Sequence, residues 1–330
     1  MKHRPVISVI LINYNNQDYL ADAIESVKNQ TFQQWECIVV DDGSTDTSRD
    51  IIRNLTDDDL RFNVIFQKNQ GGSAARNTGL RAVRGDWIMF LDSDDCYTPI
   101  AMEILLKNAK LTNADLAGGR ALVTHNDFRP IIKQKKFDAI LKNTKPFFMT
   151  ATDSPAGEYF AMQNNGLPEG FKFIWIWRQL FRRDLLSNIF FPEDLFPGED
   201  ILFMLQVMRD VKKIVLVNTL VTYHRLSKTS SVNNDLTESN TTYFAETLKR
   251  ARAITQDYPP QLQDFIISIF TRTMFVDMVL KTIKFKKFRE NAAREIRKTY
   301  GTPDFPKHYL SRWQRIMVFL FLKSFPETKE

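Results

Sequence analysis

The sequence predicts an α/β fold in which helices flank a doubly wound, mostly parallel β-sheet, with a helical extension at the C-terminus. Within residues 6–95, four short apolar runs alternate with stretches of helical periodicity. This alternation is typical of parallel strands joined by right-handed helical crossovers. Three of the runs are followed by amide or acidic residues. The carboxyl ends of these strands are therefore expected to form one polar edge, where open α/β sheets bind ligands.

Each predicted strand of the first half is an apolar run of five to seven residues. Asp18 is expected to cap a first helix that runs to Gln30. A second helix follows Asp46, and a third runs from the turn at Gly71 through Val83. The four strands are Val6–Ile12, Trp35–Val40, Phe62–Phe66 and Trp87–Leu91.

The second half gives fewer local signals. Pro99 favours a helix start, and Ala101–Thr112 has a helical pattern. Ala114–Ala117 and Ile214–Val221 are predicted to be strands. An amphipathic helix is expected directly after Pro197–Asp200, and the pattern beyond residue 240 is helical.

The composition is that of an ordinary globular protein, with 330 residues, 43% hydrophobic and 25% charged. The net charge of +6 is compatible with nucleic acid, anionic lipid or phosphorylated substrates, and it selects none of them. The two cysteines, Cys37 and Cys96, form no disulfide framework, and four scattered histidines suggest no histidine-based metal site. The apolar runs at Val6–Ile12 and Ile316–Leu322 are too short to span a bilayer. A reducing, cytoplasmic location is expected.

Three carboxylates follow the fourth predicted strand within four residues, at Asp92, Asp94 and Asp95. Such a cluster repels itself, and a divalent cation is the simplest compensation. Hard oxygen ligands suit Mg²⁺ or Mn²⁺, so Asp94 and Asp92 are candidate metal ligands. The alternative is a solvated acidic turn before the helix near Pro99.

Two common phosphate-binding loops are absent from the sequence. No Gly-x-Gly-x-x-Gly follows the first strand, and no Gly-x-x-x-x-Gly-Lys-Ser/Thr occurs anywhere. A dinucleotide-dependent enzyme such as a dehydrogenase is therefore disfavoured. A bound nucleotide would be held by carboxylates and a metal ion.

Several motifs occur in the order and spacing that one enzyme family shows. These segments are Val6–Ile10, Asn13–Asn15, Ser26–Phe32, Val40–Asp46, Ala75–Gly79, Leu91–Asp95, Trp177–Leu186 and Gly198–Asp200. Together they resemble family 2 glycosyltransferases with the GT-A fold. One departure is visible, because many relatives have Pro-Thr where this chain has Ile12-Asn13.

The resemblance implies a GT-A domain over residues 1–235, followed by a helical, basic extension over residues 236–330. Within the domain, residues 1–98 would form the nucleotide-binding half and residues 99–235 the acceptor half. Asp42 would contact the nucleobase and Tyr14 would stack on it. The residues expected to bind the nucleotide sugar are Asn13, Tyr14, Asp42, Arg76, Asp92, Ser93 and Arg225.

The Glu199-Asp200 pair resembles the position of the general base in relatives, with Asp200 as the first candidate. By pattern alone, the same pair also suits the start of a helix, and the two interpretations are compatible. Trp175 and Trp177 are candidate acceptor-binding residues, because aromatic faces pack against sugars. Ordinary core positions remain the alternative for both.

The function implied by the resemblance is inverting transfer of a sugar from a nucleotide-diphosphate sugar, with UDP as the expected nucleotide. The expected acceptor is a hydroxyl of a saccharide or of a lipid-linked acceptor in surface polysaccharide synthesis. Mn²⁺ or Mg²⁺ is the expected cofactor, and no nucleic acid partner is expected. The alternative is a non-catalytic module that binds a nucleotide or a membrane surface.

The C-terminal region favours a membrane surface. Residues 281–330 contain thirteen Lys and Arg against five Asp and Glu, interleaved with aromatic residues. A basic amphipathic segment of this kind can lie on anionic lipid. We therefore expect peripheral attachment, with a solvated helical subdomain as the alternative.

Overall fold

The structure is a computed structural model that describes residues 4–124, 176–195, 198–226 and 238–258, together with residues 260 and 263. The chain divides into two units: residues 1–193 with 206–228, and residues 194–205 with 229–330. The basic C-terminal tail and Trp175 lie outside the described residues. The predicted domain boundary after residue 235 stays a prediction.

The first half has the predicted alternation of strands and helices. Its strands run in parallel and its helices cross over between them, as the period of the apolar residues indicates. The elements are β1 (Ile7–Asn13), α1 (Leu20–Lys28), β2 (Trp35–Asp41), α2 (Ser48–Thr56), β3 (Phe62–Phe66), α3 (Gly72–Ala82) and β4 (Trp87–Asp92).

The second half adds four strands and three helices within the described residues. These are β5 (Cys96–Tyr97), α4 (Ala101–Thr112), β6 (Leu116–Thr124), β7 (Gln179–Arg182), α5 (Glu199–Asp210), β8 (Ile214–Arg225) and α6 (Glu238–Thr255). Short 3₁₀ turns flank β7 on both sides, at Ile176–Arg178 and Arg183–Leu186.

The described strands form one mixed sheet in the order β3-β2-β1-β4-β7-β6-β8-β5. β1 pairs in parallel with β2 and β4, and β2 pairs in parallel with β3. β7 is antiparallel to both β4 and β6, and β5 is antiparallel to β8. The predicted mostly parallel arrangement therefore holds in the first half, and the second half is mixed.

Side chains alternate between the two faces of the sheet, and both faces are covered. On one face, Val9, Leu11 and Val39 pack with the apolar sides of α1 and α2. On the other face, Ile38 and Val40 pack with Ala75 of α3. Burial of each such side chain stabilises the fold by about 1.5–3 kcal/mol. This core fixes the position of every strand end on the polar edge.

Two local expectations were wrong or incomplete. Asp18 does not cap α1, because the helix begins at Leu20 and the carbonyl of Asn16 accepts the backbone N–H groups of Tyr19 and Leu20. The strands β5 and β7 were not predicted, because two and four residues are too few to show a period.

Both cysteines are free and buried, which agrees with the absence of a disulfide framework. Burial raises the pKa of the Cys37 and Cys96 thiols well above its usual range, so neither is a reactive thiolate. In the part of the chain that the structure describes, no helix combines the length and the hydropathy needed to cross a bilayer.

Candidate active site

Three parallel strands end at the same edge of the sheet. Asn13 at the end of β1 pairs in register with Asp41 of β2, and Ile12 pairs with Asp92 of β4. The loops that leave these strands therefore lie side by side. The structure brings together the predicted residues Asn13, Tyr14, Asp42, Arg76, Asp92, Ser93 and Asp94 at this edge.

The acidic turn, residues 92–95, leaves β4 and is closed by a bond from the Asp95 N–H to the Asp92 carbonyl at 3.0 Å. Its three carboxylates differ in their surroundings. Asp92 accepts a hydrogen bond from Nη2 of Arg76 at 2.9 Å, and that arginine is itself buried. Asp95 is fully buried. Asp94 is only partly buried, and no salt bridge to a cation is found for it among the described residues.

The Asp94 carboxyl has a strongly perturbed pKa. Burial, followed by repulsion from Asp95 and Asp92, raises the pKa of the Asp94 carboxyl to about 7. A carboxylate that is costly to ionise in this way is stabilised by a cation. A carboxyl with such a perturbed pKa at a strand end is a candidate for a functional site.

The residues present fit the Mg²⁺ or Mn²⁺ that the sequence suggests. Such ions usually take one or two carboxylates and complete their coordination with water and phosphate oxygens. Asp94 and Asp92 are the residues that would supply the carboxylates. Across the described residues, no group of three or more Asp, Glu, His or Cys side chains is arranged to hold a metal ion by itself. With two carboxylates from the turn, water or the phosphate oxygens of a ligand would complete the coordination.

Asn13 and Asp42, both predicted to bind the nucleotide, face opposite sides of the sheet. Asn13 lies on the α2 side, where its Nδ2 donates to Asp41 Oδ2 and to Ser44 Oγ, both at 3.0 Å. Asp41 in turn pairs with Arg49 at 3.0 Å. Asn13 thus fixes the loop after β2, and its contact with a nucleobase stays a prediction.

Asp42 holds the loop that leads into α3. Its Oδ1 accepts bonds from Gln67 Nε2 at 2.7 Å and from the Gln70 N–H at 2.9 Å. Its Oδ2 accepts the Gly71 N–H at 2.8 Å. Because each carboxylate oxygen has two lone pairs, Oδ2 retains capacity for one more donor, such as a nucleobase N–H.

The loops after β1, β2 and β4 are linked by side-chain hydrogen bonds. Asn15 Oδ1 accepts the Thr45 N–H at 2.7 Å, and Asn16 Nδ2 donates to Ser93 Oγ at 2.8 Å. Tyr14 remains 51% exposed on this fixed loop. An exposed aromatic ring on a well-anchored loop is suited to stacking on a planar ligand.

Arg225 and Trp177 are more buried than their predicted roles suggest. Arg225 is 5% exposed, and its guanidinium lies 4.0 Å over the ring of Tyr19. Trp177 is 4% exposed and stacks on His224, with ring centroids 4.4 Å apart. The predicted contacts of Arg225 with the donor and of Trp177 with the acceptor remain predictions.

The candidate base belongs to the second unit. Glu199 and Asp200 form the first turn of α5, as expected from the sequence. Glu199 is buried, and its Oε2 accepts the N–H of Gly198 at 3.0 Å. Gly198 has a φ of 121°, a conformation that side chains with a Cβ rarely adopt. Position 198, directly before the pair, therefore favours glycine.

Sequence reasoning missed the partnership of His224 with Asp95. His224 Nδ1 donates to Asp95 Oδ2 at 2.9 Å, and the N–H of Arg225 donates to Asp95 Oδ1 at 3.0 Å. Although burial opposes it, Asp95 raises the pKa of His224. The only sequence signals were a carboxylate at the fourth position of the acidic turn and a histidine three residues after the predicted strand Ile214–Val221.

Comparisons with known proteins identify the family of the chain. The profile of Glycosyl transferase family 2 matches residues 8–190. An uncharacterized glycosyltransferase, EpsJ of Bacillus subtilis (strain 168), is 33% identical over 218 residues, covering 65% of this chain and 59% of EpsJ. The putative glycosyltransferase EpsH of the same organism is 30% identical over 277 residues, covering 80% of this chain and 74% of EpsH.

The fold is also found among solved structures. S. aureus TarS 1-349, in complex with UDP-GlcNAc, superposes with a TM-score of 0.70 at 18% identity, covering 96% of this chain and 89% of that one. The predicted GT-A fold is thereby confirmed. Because the family profile covers more than half of the sequence, the chain belongs to glycosyl transferase family 2.

Proposed function

We propose that the protein transfers a sugar from a UDP-sugar to a hydroxyl group of a saccharide or lipid-linked acceptor, with inversion at the anomeric carbon. The observation that carries the proposal is the acidic turn at the sheet edge, where burial and then repulsion from Asp95 and Asp92 raise the pKa of Asp94 to about 7. Such a turn suits the metal–diphosphate part of a nucleotide sugar.

The reaction breaks the bond between the anomeric carbon and the diphosphate, and negative charge develops on the leaving group. Mn²⁺ or Mg²⁺, held by Asp94 and Asp92, would act as a Lewis acid on that charge. Arg76 orients the carboxylate of Asp92, because its Nη2 donates to Asp92 Oδ1 at 2.9 Å. Arg225, proposed to assist the diphosphate, already donates through Nε to the Asp94 carbonyl at 3.3 Å.

The acceptor hydroxyl must lose its proton as it attacks. We assign this step to Asp200 as general base, with Glu199 beside it. Removal of one proton by a positioned carboxylate typically contributes about 10²–10⁴-fold in rate. A single displacement by the acceptor would invert the anomeric centre.

Recognition of the nucleotide would use both an edge and a face of the base. Asp42 Oδ2 keeps the capacity to accept one base N–H, and the exposed ring of Tyr14 offers a stacking surface. Ser93, which accepts a bond from Asn16, would lie next to the ribose or phosphates. The solved relative with UDP-GlcNAc shares this fold, which supports a uridine nucleotide.

The proposed setting is surface polysaccharide synthesis at the cytoplasmic face of a membrane. There the basic tail would hold the enzyme near a lipid-linked acceptor.

The test is a donor screen that follows release of nucleoside diphosphate with Mn²⁺ or Mg²⁺. We expect release with a UDP-sugar in the presence of metal, and no metal-dependent release by the Asp94→Asn variant. Asp86→Asn, which changes an exposed carboxylate at the opposite end of β4, is the matched control and should behave as wild type. Equal rates in wild type and Asp94→Asn would refute the metal assignment.

A further inference from the structure

A continuous chain of contacts leads from Trp177 to the acidic turn. The indole of Trp177 stacks on the imidazole of His224, with an interplanar angle of 12°. The imidazole Nδ1 donates to the carboxylate of Asp95 at 2.9 Å. Asp95 is the direct neighbour of Asp94. Residues more than 120 positions apart therefore meet at the candidate metal site.

Each member of this chain is held in place from several sides. Asp95 is fully buried, donates its N–H to the Asp92 carbonyl and accepts the Arg225 N–H. The carbonyl of Trp177 accepts a bond from Thr222 Oγ1 at 3.1 Å, which ties it to β8. Backbone pairing of β5 with β8 also holds the residues next to Asp95 and His224 in place, since Cys96 lies opposite Tyr223.

We propose that Trp177, His224 and Asp95 are positioning residues that fix the acidic turn and so set the affinity for the metal–nucleotide complex. The inference rests on the proposed function, because it gives these residues a role in that same site. It also gives Trp177 a role other than the predicted contact with an acceptor.

The physical reason is the repulsion within the turn. Three carboxylates within four residues favour conformations that move them apart, whereas a metal needs two of them held close together. A buried anchor at Asp95 keeps the turn from opening. Partners that orient ligating carboxylates in this way typically change metal affinity by about 10–100-fold when they are lost.

Two histidine variants separate the hydrogen bond from the shape of the ring. In His224→Asn, the side-chain amide places an N–H near the position of Nδ1, so the bond to Asp95 is kept. In His224→Phe, the ring can still stack on Trp177 but cannot donate to Asp95. We expect His224→Phe to raise the Mn²⁺ concentration needed for half-maximal UDP binding by about 10–100-fold. The Asn variant should lie much closer to wild type.

Two tryptophan variants separate positioning from general stability. Trp177→Leu removes the stack on His224, and Trp35→Leu removes a similarly buried indole at the first residue of β2. Both should lower the unfolding temperature without metal. Of these two, only Trp177→Leu should raise the Mn²⁺ concentration needed for half-maximal UDP binding. Trp177→Phe, which keeps an aromatic face, should bind UDP with the Mn²⁺ dependence of the wild type.

The measurement is calorimetric titration of UDP at several fixed Mn²⁺ concentrations, alongside thermal unfolding of each metal-free variant. If wild type binds no UDP with Mn²⁺, the proposed function is wrong. If wild type binds and both His224→Phe and Trp177→Leu keep the wild-type Mn²⁺ dependence, the positioning inference is overturned. Should His224→Phe not fold, His224→Leu, which matches Asn in size but carries no hydrogen-bond donor, provides the comparison with His224→Asn.

Discussion

The carboxyl of Asp94 carries the sharpest electrostatic consequence at the scale of single residues. Its pKa is raised from 3.8 to about 7, so near neutral pH a proton competes with a metal ion for the same oxygens. Metal ligation requires the ionised form. The affinity of the site for Mn²⁺ with UDP is therefore coupled to pH in the physiological range.

We predict that Mn²⁺-dependent UDP binding weakens as the pH falls below about 7, approaching tenfold per pH unit. The sign for stability is opposite. The folded protein holds the Asp94 proton more tightly than the unfolded chain does, so the metal-free protein should lose stability as the pH rises from about 4 to about 7. Urea unfolding of wild type and Asp94→Asn across this range tests it. If the free energy of unfolding changed equally with pH in the two proteins, the raised pKa of Asp94 would be contradicted.

A second residue-scale prediction concerns the candidate base. Asp200→Asn should bind UDP and Mn²⁺ as wild type does, because the base acts on the acceptor and not on the donor. Its rate of transfer should fall by about 10²–10⁴-fold. Glu199→Gln is the comparison, measured in the same nucleoside diphosphate release assay. If Asp200→Asn kept the wild-type rate of transfer while Glu199→Gln were inactive, Glu199 would be the general base instead of Asp200.

At the scale of elements, the segment that follows β7 and the 3₁₀ turn Arg183–Leu186 is tied to α3 by one buried amide. Asn77 Nδ2 donates to the Phe191 carbonyl at 2.9 Å and to Glu193 Oε1 at 2.8 Å. Its Oδ1 accepts the Phe191 N–H at 2.9 Å. One side chain thus satisfies both backbone groups of a residue that is remote in sequence.

We predict that Asn77→Ala lowers the free energy of unfolding by about 2–4 kcal/mol, because it leaves buried backbone groups without partners. The control is Asn29→Ala, at an exposed position where Nδ2 donates to the carbonyl of Glu25 in α1. This change should alter the free energy of unfolding by less than about 0.5 kcal/mol. Urea denaturation of both variants measures the difference. Equal small effects would show that water replaces the lost bonds.

The elements also show where sequence patterns stop being informative. The first four strands were predictable because each apolar run is long enough to show its period, as in Trp35–Asp41. β5 was not, because its two residues gain their strand conformation from pairing with β8. The link between Asp95 and His224 was invisible for the same reason. Local patterns carry no information about which distant residues meet.

At the scale of the whole molecule, the remaining question is where the enzyme works. We predict that the full-length protein sediments with anionic vesicles at low salt and is released at high salt. A truncation before Tyr309 should sediment less, because each basic residue near the surface contributes about 1 kcal/mol. Neutral vesicles are the control. Equal sedimentation of both forms would assign the tail a structural role instead.

The order of the strands has a consequence for how the chain folds. β7 joins the parallel half through two residue pairs only, Trp87 with Arg182 and Ile88 with Phe181, whereas β1 and β4 share six. Contacts between segments so far apart form late, since a long loop must close before they are made. Backbone amides of β7 should therefore exchange with deuterated solvent before those of β1 and β4 do. Opening between β4 and β7 would separate the strands whose ends form the proposed nucleotide site from β8, which holds His224 against Asp95.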